Sequence, residues 1–230
     1  MRFNPYLFDL DNSLLYIPNA PRYFDNILVE TIKNFTKKKI PSLEERNTFW
    51  SSGEQYLDLL HQWGVDIDNG EFFWKKFDAL DFEQRKVLIE KRHMALFSDV
   101  IEVLSTLKQS GKHLALISNT ARYIVNYVVK EYDLEQYFNI IFGLGYGKEQ
   151  ALAKPSPDGI KYILKKSGFY KNNANPIMIG DSKVDVIAAK RADIHACLLK
   201  RDTWENTTEI NTWECKPDYI IESLEDLLNL

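Results

Sequence analysis

Tyr6-Leu7-Phe8-Asp9-Leu10-Asp11-Asn12-Ser13 is a short apolar run that ends abruptly in acid. Three consecutive large apolar residues bounded by Asn and Ser turn signals fit the first strand of a parallel sheet covered on both faces. Such sheets carry their ligands at the carboxyl ends of the strands, where Asp9 and Asp11 fall. Residues two apart lie on one side of a strand, so the two carboxylates are expected to project toward one small volume, and their repulsion calls for a cation or a proton. A bound divalent metal answers that need. A polar strand-to-loop junction, with Asp11 or Asn12 capping a turn, answers the same eight residues equally well.

The rest of the chain favours the sheet. After Phe97 the sequence alternates helix and strand, the pattern of a doubly wound α/β fold. Val100, Val103, Leu104 and Leu107 share one face of a helix ended by Gly111, and Leu114–Ile117 reads as the next buried strand. Ser118 and Asn119 read as closing that strand and capping a helix from Ala121 to Tyr132. Asn139–Phe142 follows as a third strand, then a glycine-rich loop with Gly143, Gly145 and Gly147, then Lys154-Pro155-Ser156-Pro157 opening another helix. Ile177–Ile179 is a fourth strand ended by Gly180 and Asp181, and Ile194–Leu199 a fifth. Arg201–Lys216, polar with isolated Trp204 and Trp213, reads as a flap over the sheet edge, before a last strand at Tyr219-Ile220 and a helix at Leu224–Leu228.

Between Tyr16 and Arg92 the patterns are helical, with no convincing strand. Pro21 opens an amphipathic helix carrying Tyr23, Ile27, Leu28 and Ile32, and Ser42 with Glu45 makes a capping box. A further helix runs to Trp63 and stops at Gly64, and Phe72, Phe73, Trp74, Phe77 and Phe82 are read as core. The division is therefore a sheet domain over 1–15 and 93–230 and a helical cap over 16–92. A segment inserted directly after the first strand leaves and returns near the ligand-bearing edge of the sheet, so it is expected to act as a lid that restricts entry to small molecules. Ser51-Ser52-Gly53, Glu54 and Tyr56 are its candidate specificity residues, with a plain helix-to-helix connection as the equal alternative.

Composition excludes several classes. A net charge of −4 over 230 residues offers no field for nucleic acid or an anionic membrane, and Lys37–Lys39 is a solvated helix end. No apolar run approaches the roughly 18 residues of a membrane span, and Met1–Phe8 is too brief for a signal peptide, so a cytoplasmic location is expected. The two cysteines, Cys197 and Cys215, read as free thiols, and the four histidines show no ligand spacing.

Polar groups thus follow the strands in order: Asp9 and Asp11, Ser118 and Asn119, Lys154, then Asp181 and Asp185. Each alone is an ordinary cap or solvated side chain; together they are the inventory of phosphoryl transfer. In this order the chain resembles the haloacid dehalogenase superfamily, in its helical-cap, phosphoglycolate-phosphatase-like branch. That family carries Asp-x-Asp-x-Thr/Val, then Ser/Thr, Lys and Gly-Asp-x-x-x-Asp, here Asp9-Leu10-Asp11-Asn12-Ser13, Ser118, Lys154 and Gly180-Asp181-Ser182-Lys183-Val184-Asp185. Asn12 stands where Gly is frequent, Ser13 for Thr, and Asp193 at a helix end where relatives often have Gly.

The resemblance implies a phosphatase acting on a small phosphomonoester. Asp9 is the implied nucleophile, Asp11 the acid and then the base, and Lys154 the charge-neutralising cation. Ser118 and the Asn119 backbone N–H are the implied phosphoryl donors. Mg²⁺ is implied at Asp9, the Asp11 carbonyl and Asp181, with Asp185 orienting the set. Asp11 argues against dehalogenation, which protonates no alkoxide; a sugar-phosphate mutase shares the whole motif set; a receiver-type signalling domain puts its aspartate on a later strand. The expected partner is a small phosphorylated metabolite rather than a nucleic acid polymer or a membrane, and the expected assembly a monomer or homodimer.

Overall fold

The computed structural model describes residues 2–50, 52–170, 174–201 and 210–230. In chain order its elements are β1 (Tyr6–Phe8), β2 (Leu15–Tyr16), α1 (Ala20–Phe35), α2 (Leu43–Phe49), α3 (Tyr56–Gln62), α4 (Glu71–Glu90) and β3 (Ala95–Leu96). They continue as α5 (Val100–Gln109), β4 (Leu114–Ala121), α6 (Arg122–Glu131), β5 (Ile140–Leu144), α7 (Asp158–Lys166), β6 (Ile177–Gly180), α8 (Lys183–Arg191), β7 (His195–Leu199) and β8 (Tyr219–Ile221). Six strands form one parallel sheet in the order β5-β4-β1-β6-β7-β8. Strand β1 is central because its three residues are apolar on both faces, and Tyr6, Leu7 and Phe8 are completely buried.

Two compact units result, one of Met1–Tyr16, Leu96–Leu144 and Leu152–Leu230, the other of Ile17–Ala95 with Gly145–Ala151. The glycine-rich stretch 145–151, which the sequence leaves in the sheet domain, thus clusters with the helices. The chain passes between units through a two-stranded ribbon, β2 with β3, whose pieces are too short for any periodicity to reveal.

Within the sheet unit, Leu7, Ile117, Phe142, Ile160, Ile163, Met178, Val186 and Leu198 belong to one buried cluster, together with Trp213. Trp213 is therefore core rather than part of a flap; residues 202–209 of that stretch, Trp204 included, lie outside the described residues. Strand β4 runs on to Ala121, and Ala121 itself occupies the N-cap of α6 without a side-chain bond, so neither Ser118 nor Asn119 caps that helix. The C-terminal segment Leu224–Asn229 winds as 3-10 rather than α-helix. Cys197 and Cys215 are both free thiols. No helix among the described residues is long and apolar enough to cross a membrane.

The helical unit obeys its sequence signals at the helix ends. Pro sits in the first turn of α1, the Ser42–Glu45 capping box forms, and Gly64 takes a φ of 80° just past α3. Its aromatic core gathers Phe49, Trp63, Phe73, Trp74 and Phe77, but Phe72 is 67% exposed, turned outward on the opposite face of α4. Tyr56 packs edge-on against Phe49 and Trp74, and Ser52 Oγ donates to the Phe49 carbonyl at 2.7 Å, so both are occupied in joining helices. Ser51 and the Glu54 side chain lie outside the described residues.

The buried face of α4 also carries charge. Arg85 is completely buried and donates through Nε (3.1 Å) and Nη2 (3.0 Å) to Asp81, which also receives the Tyr23 hydroxyl at 2.6 Å. Asp78, one turn earlier, accepts only the Tyr146 hydroxyl at 2.9 Å among the hydrogen bonds described. Burial pushes its carboxyl up to about 7, with the Tyr146 bond and Arg85 opposing and Asp81 adding. The folded unit therefore binds the Asp78 proton more tightly than the unfolded chain, and its stability falls as pH rises from the ordinary value of 3.8 through about 7. Asp78→Asn keeps an acceptor for Tyr146 and removes the charge. It is expected to raise the melting temperature at pH 8 by roughly 4 °C and by clearly less at pH 5, which lies early in that range. Tryptophan fluorescence reads this unit through Trp50, Trp63 and Trp74; an equal effect at both pH values refutes the assignment.

Candidate active site

Parallel register brings the site together. Phe8 is level with Leu116 of β4 and Ile179 of β6, so Asp9 is level with Ile117 and Gly180, and Ser118 and Asp181 lie one residue further. The Asp9 N–H donates to the Ile179 carbonyl at 2.8 Å, fixing the chain just past the strand. The chain moves from β1 to one side of the sheet and later returns to the other, so this edge is also the topological switch point.

Lys154 occupies the centre. Its buried Nζ donates to Asp9 Oδ1 at 2.5 Å, to Asp185 Oδ1 at 2.6 Å and to the Ile117 carbonyl at 3.2 Å. Burial alone lowers a lysine pKa, but the charges of Asp185 and Asp9 outweigh it and hold the ammonium protonated, above its ordinary value. The Lys154 backbone is gripped by the Asn119 side chain, whose Oδ1 accepts the Lys154 N–H at 2.8 Å and whose Nδ2 donates to the Lys154 carbonyl at 2.8 Å. The sequence marks Asn119 as a helix cap and, through the family resemblance, for its backbone N–H; its amide side chain instead holds the lysine loop.

Asp9, Asp181 and Asp185 each present a carboxylate oxygen within 4.8 Å of the others. Burial pushes the Asp9 carboxyl well above its ordinary value, Lys154 opposing and Asp185, Asp181 and Asp11 adding. Burial likewise raises Asp181, to about 7, with Asp185 adding and Asn12 opposing. Asp185 is one of the most buried acids, and its Oδ2 accepts the Ser182 N–H at 3.1 Å at the start of α8. Gly180 makes room for it: a Cβ there would collide with the Asp185 carboxylate. An all-carboxylate trio, short of positive charge with one lysine among its acids, suits a hard divalent cation.

Asp11 does not join that trio. It is half-buried, its Oδ2 accepts the Thr120 hydroxyl at 2.6 Å, and its charge still reaches Asp9, whose carboxyl it helps to raise. The strand ends at Phe8, and the period-2 geometry does not extend through the turn that follows. Asn12 adopts a left-handed φ of 57° and donates through Nδ2 to Asp181 Oδ2 at 3.1 Å. The Ser13 hydroxyl lies 3.5 Å from Asp9 Oδ2. Ser118 is buried, its Oγ accepting the Thr120 N–H at 3.1 Å. Neither Thr120 nor the Asn12 side chain stands out in sequence as part of a site, although both adjoin residues that do.

Residues 6–199 match the family model of the haloacid dehalogenase-like hydrolases. A provisionally assigned pyrophosphatase PpaX of Caldanaerobacter subterraneus subsp. tengcongensis is 26% identical over all of this chain and 95% of its own length. The phosphoglycolate phosphatase of Pasteurella multocida is 29% identical over 59% of this chain and 57% of its own length. A solved structure described as a predicted phosphatase of Clostridium acetobutylicum superposes over the full length of both chains with a TM-score of 0.70 at 21% identity. The chain belongs to the haloacid dehalogenase-like hydrolases.

Proposed function

We propose that the chain hydrolyses small phosphomonoesters, with Mg²⁺ as its metal, through a phosphoryl group carried on Asp9. The observation that supports this best is the Asp9 carboxylate at the carboxyl end of β1, with a lysine ammonium 2.5 Å from one oxygen and two further carboxylates beside it. Lys154 holds Asp9 Oδ1 and orients the group; a carboxylate oxygen forms the bond to phosphorus as the bond to the leaving oxygen breaks. Asp11, its plane set by Thr120, gives a proton to that leaving oxygen and then takes one from the water that cleaves the acyl phosphate. Ser118 and the Asn119 N–H donate to phosphoryl oxygens, and Lys154 offsets their charge.

Asp9, Asp181 and the Asp11 backbone carbonyl would hold the cation, with Asp185 orienting the set. When bound, Mg²⁺ supplies charge neutralisation for the transferring group. The helical unit, entered six residues after Asp11, is the segment we assign to substrate selection. Phosphoglycolate, pyrophosphate, nucleotides and sugar phosphates form the panel of small substrates to be tested.

Two variants check the reading. Asp9→Asn keeps the size of the side chain but removes the nucleophilic charge, and turnover of p-nitrophenyl phosphate is expected to fall by at least about 10³-fold, with chelator abolishing wild-type activity. Activity within tenfold, or indifference to chelator, refutes the mechanism. Asp11→Asn is expected to lower kcat by about 10²–10⁴-fold while the Mg²⁺ concentration for half-activation of the residual rate stays close to that of wild type, because the backbone carbonyl is retained. A collapse of metal binding in Asp11→Asn contradicts the separation of roles.

A further inference from the structure

The polar stretch after β7 begins with a residue that is not solvated at all. Arg201 is 7% exposed, and its guanidinium is used on every side. Nη1 donates to Asp99 Oδ2 at 2.6 Å, while Nη2 (2.8 Å) and Nε (3.3 Å) both donate to the carbonyl of Ser13. The ring of Phe97 lies 4.1 Å from the guanidinium carbon. Asp99 is fixed in turn: its Oδ2 accepts the Ser223 hydroxyl and the Leu224 N–H, each at 2.9 Å. Burial would raise the Asp99 carboxyl, but the Arg201 and Leu224 hydrogen bonds bring it below its ordinary value, so the anchor stays charged.

Ser13 is the far end of the loop that begins at Asp9. Its hydroxyl faces Asp9, its neighbour Asn12 holds Asp181, and the loop closes on itself through Leu14 and Leu15 N–H bonds to the Leu10 carbonyl, each at 2.9 Å. A carbonyl gripped by two N–H groups of one planar guanidinium cannot rotate without breaking both, so its peptide plane is fixed.

We propose that Arg201, anchored by Asp99, is a positioning residue that sets the Asp9–Ser13 loop and thereby aims the nucleophile. This rests on Asp9 being the nucleophile, as proposed above. A displacement of that loop by a fraction of an ångström lowers the chemical rate far more than it weakens substrate binding, since in-line attack is geometrically demanding.

Arg201→Lys is the test. Lysine retains the charge for Asp99 but cannot place two fixed donors on the Ser13 carbonyl. With p-nitrophenyl phosphate at saturating Mg²⁺, kcat per folded molecule is expected to fall at least about tenfold while KM changes less than about threefold. Asp99→Asn, which keeps the shape and weakens the anchor, is expected to show the same split to a smaller degree. In the double variant the two losses are expected to be less than multiplicative. Arg46→Lys, at the Asp25 ion pair of the helical unit, controls for loss of an equally well-made ion pair and should show no such split. The proposal is overturned if kcat per folded molecule is unchanged in Arg201→Lys, or if it is unchanged in Asp99→Asn should Arg201→Lys not fold. Activity retained in Asp9→Asn would remove the proposed mechanism, whereas unchanged kcat in Arg201→Lys with an inactive Asp9→Asn would remove only the positioning role.

Discussion

The site depends on one buried cation. Lys154 places a single ammonium between Asp9 and Asp185, within a group of three carboxylates whose oxygens lie within 4.8 Å of one another. The desolvation of such charges costs several kcal/mol per ion before any attraction is counted, so the ion pairs must be geometrically good to persist. Much of the surrounding detail serves that geometry. The Asn119 amide grips the lysine backbone from both sides, Ser182 holds the second oxygen of Asp185, and Gly180 leaves the volume the Asp185 carboxylate fills. The repulsion between acids, which suggests a cation from sequence alone, is thus relieved in part by the chain itself, and the remaining negative charge is what makes a divalent ion chemically suitable.

The sheet and its strand-end groups were legible because parallel register is a local consequence of apolar runs. Once Tyr6–Phe8, Leu114–Ile117 and Ile177–Ile179 are read as buried parallel strands, Asp9, Ser118 and Asp181 must emerge at one edge whatever else the chain does. The turn after β1 was less legible. Alternation holds only while a residue is extended, and the strand stops at Phe8, so it does not place the Asp11 carboxylate, which accepts the Thr120 hydroxyl. Side-chain to backbone grips carry no periodicity either: Asn119 on Lys154 spans 35 residues and Arg201 on Ser13 spans 188, and nothing near either partner in sequence records the other.

Charge on apolar-face positions was the other blind spot. On α4 the spacing Phe73, Phe77, Asp81, Arg85 and Ile89 is a single buried stripe, but its two charged members break the apolar pattern that would announce it. They are tolerated because they are partners at i and i+4, each satisfying the other inside the helix unit, with Tyr23 completing the set. Asp78 lies on the same side, where it receives the Tyr146 hydroxyl, and burial holds its carboxyl toward the neutral form.

The same logic explains the residue at position 12. A left-handed φ of 57° is the conformation glycine adopts with least strain, and a reading of backbone alone would prefer glycine there. Asparagine tolerates the conformation, but tolerance gives no reason for its presence. The Nδ2 bond to Asp181 Oδ2 supplies one: it ties the turn that follows the proposed nucleophile to an acid at the end of β6, across the central pair of strands. With Arg201 fixing the Ser13 carbonyl, the loop is held by side chains from one flank and by its own side chain to the other. A glycine at 12 would relieve backbone strain and remove the tie to Asp181, so the strained residue is one that adds a side-chain hold to a loop otherwise closed by its own backbone bonds.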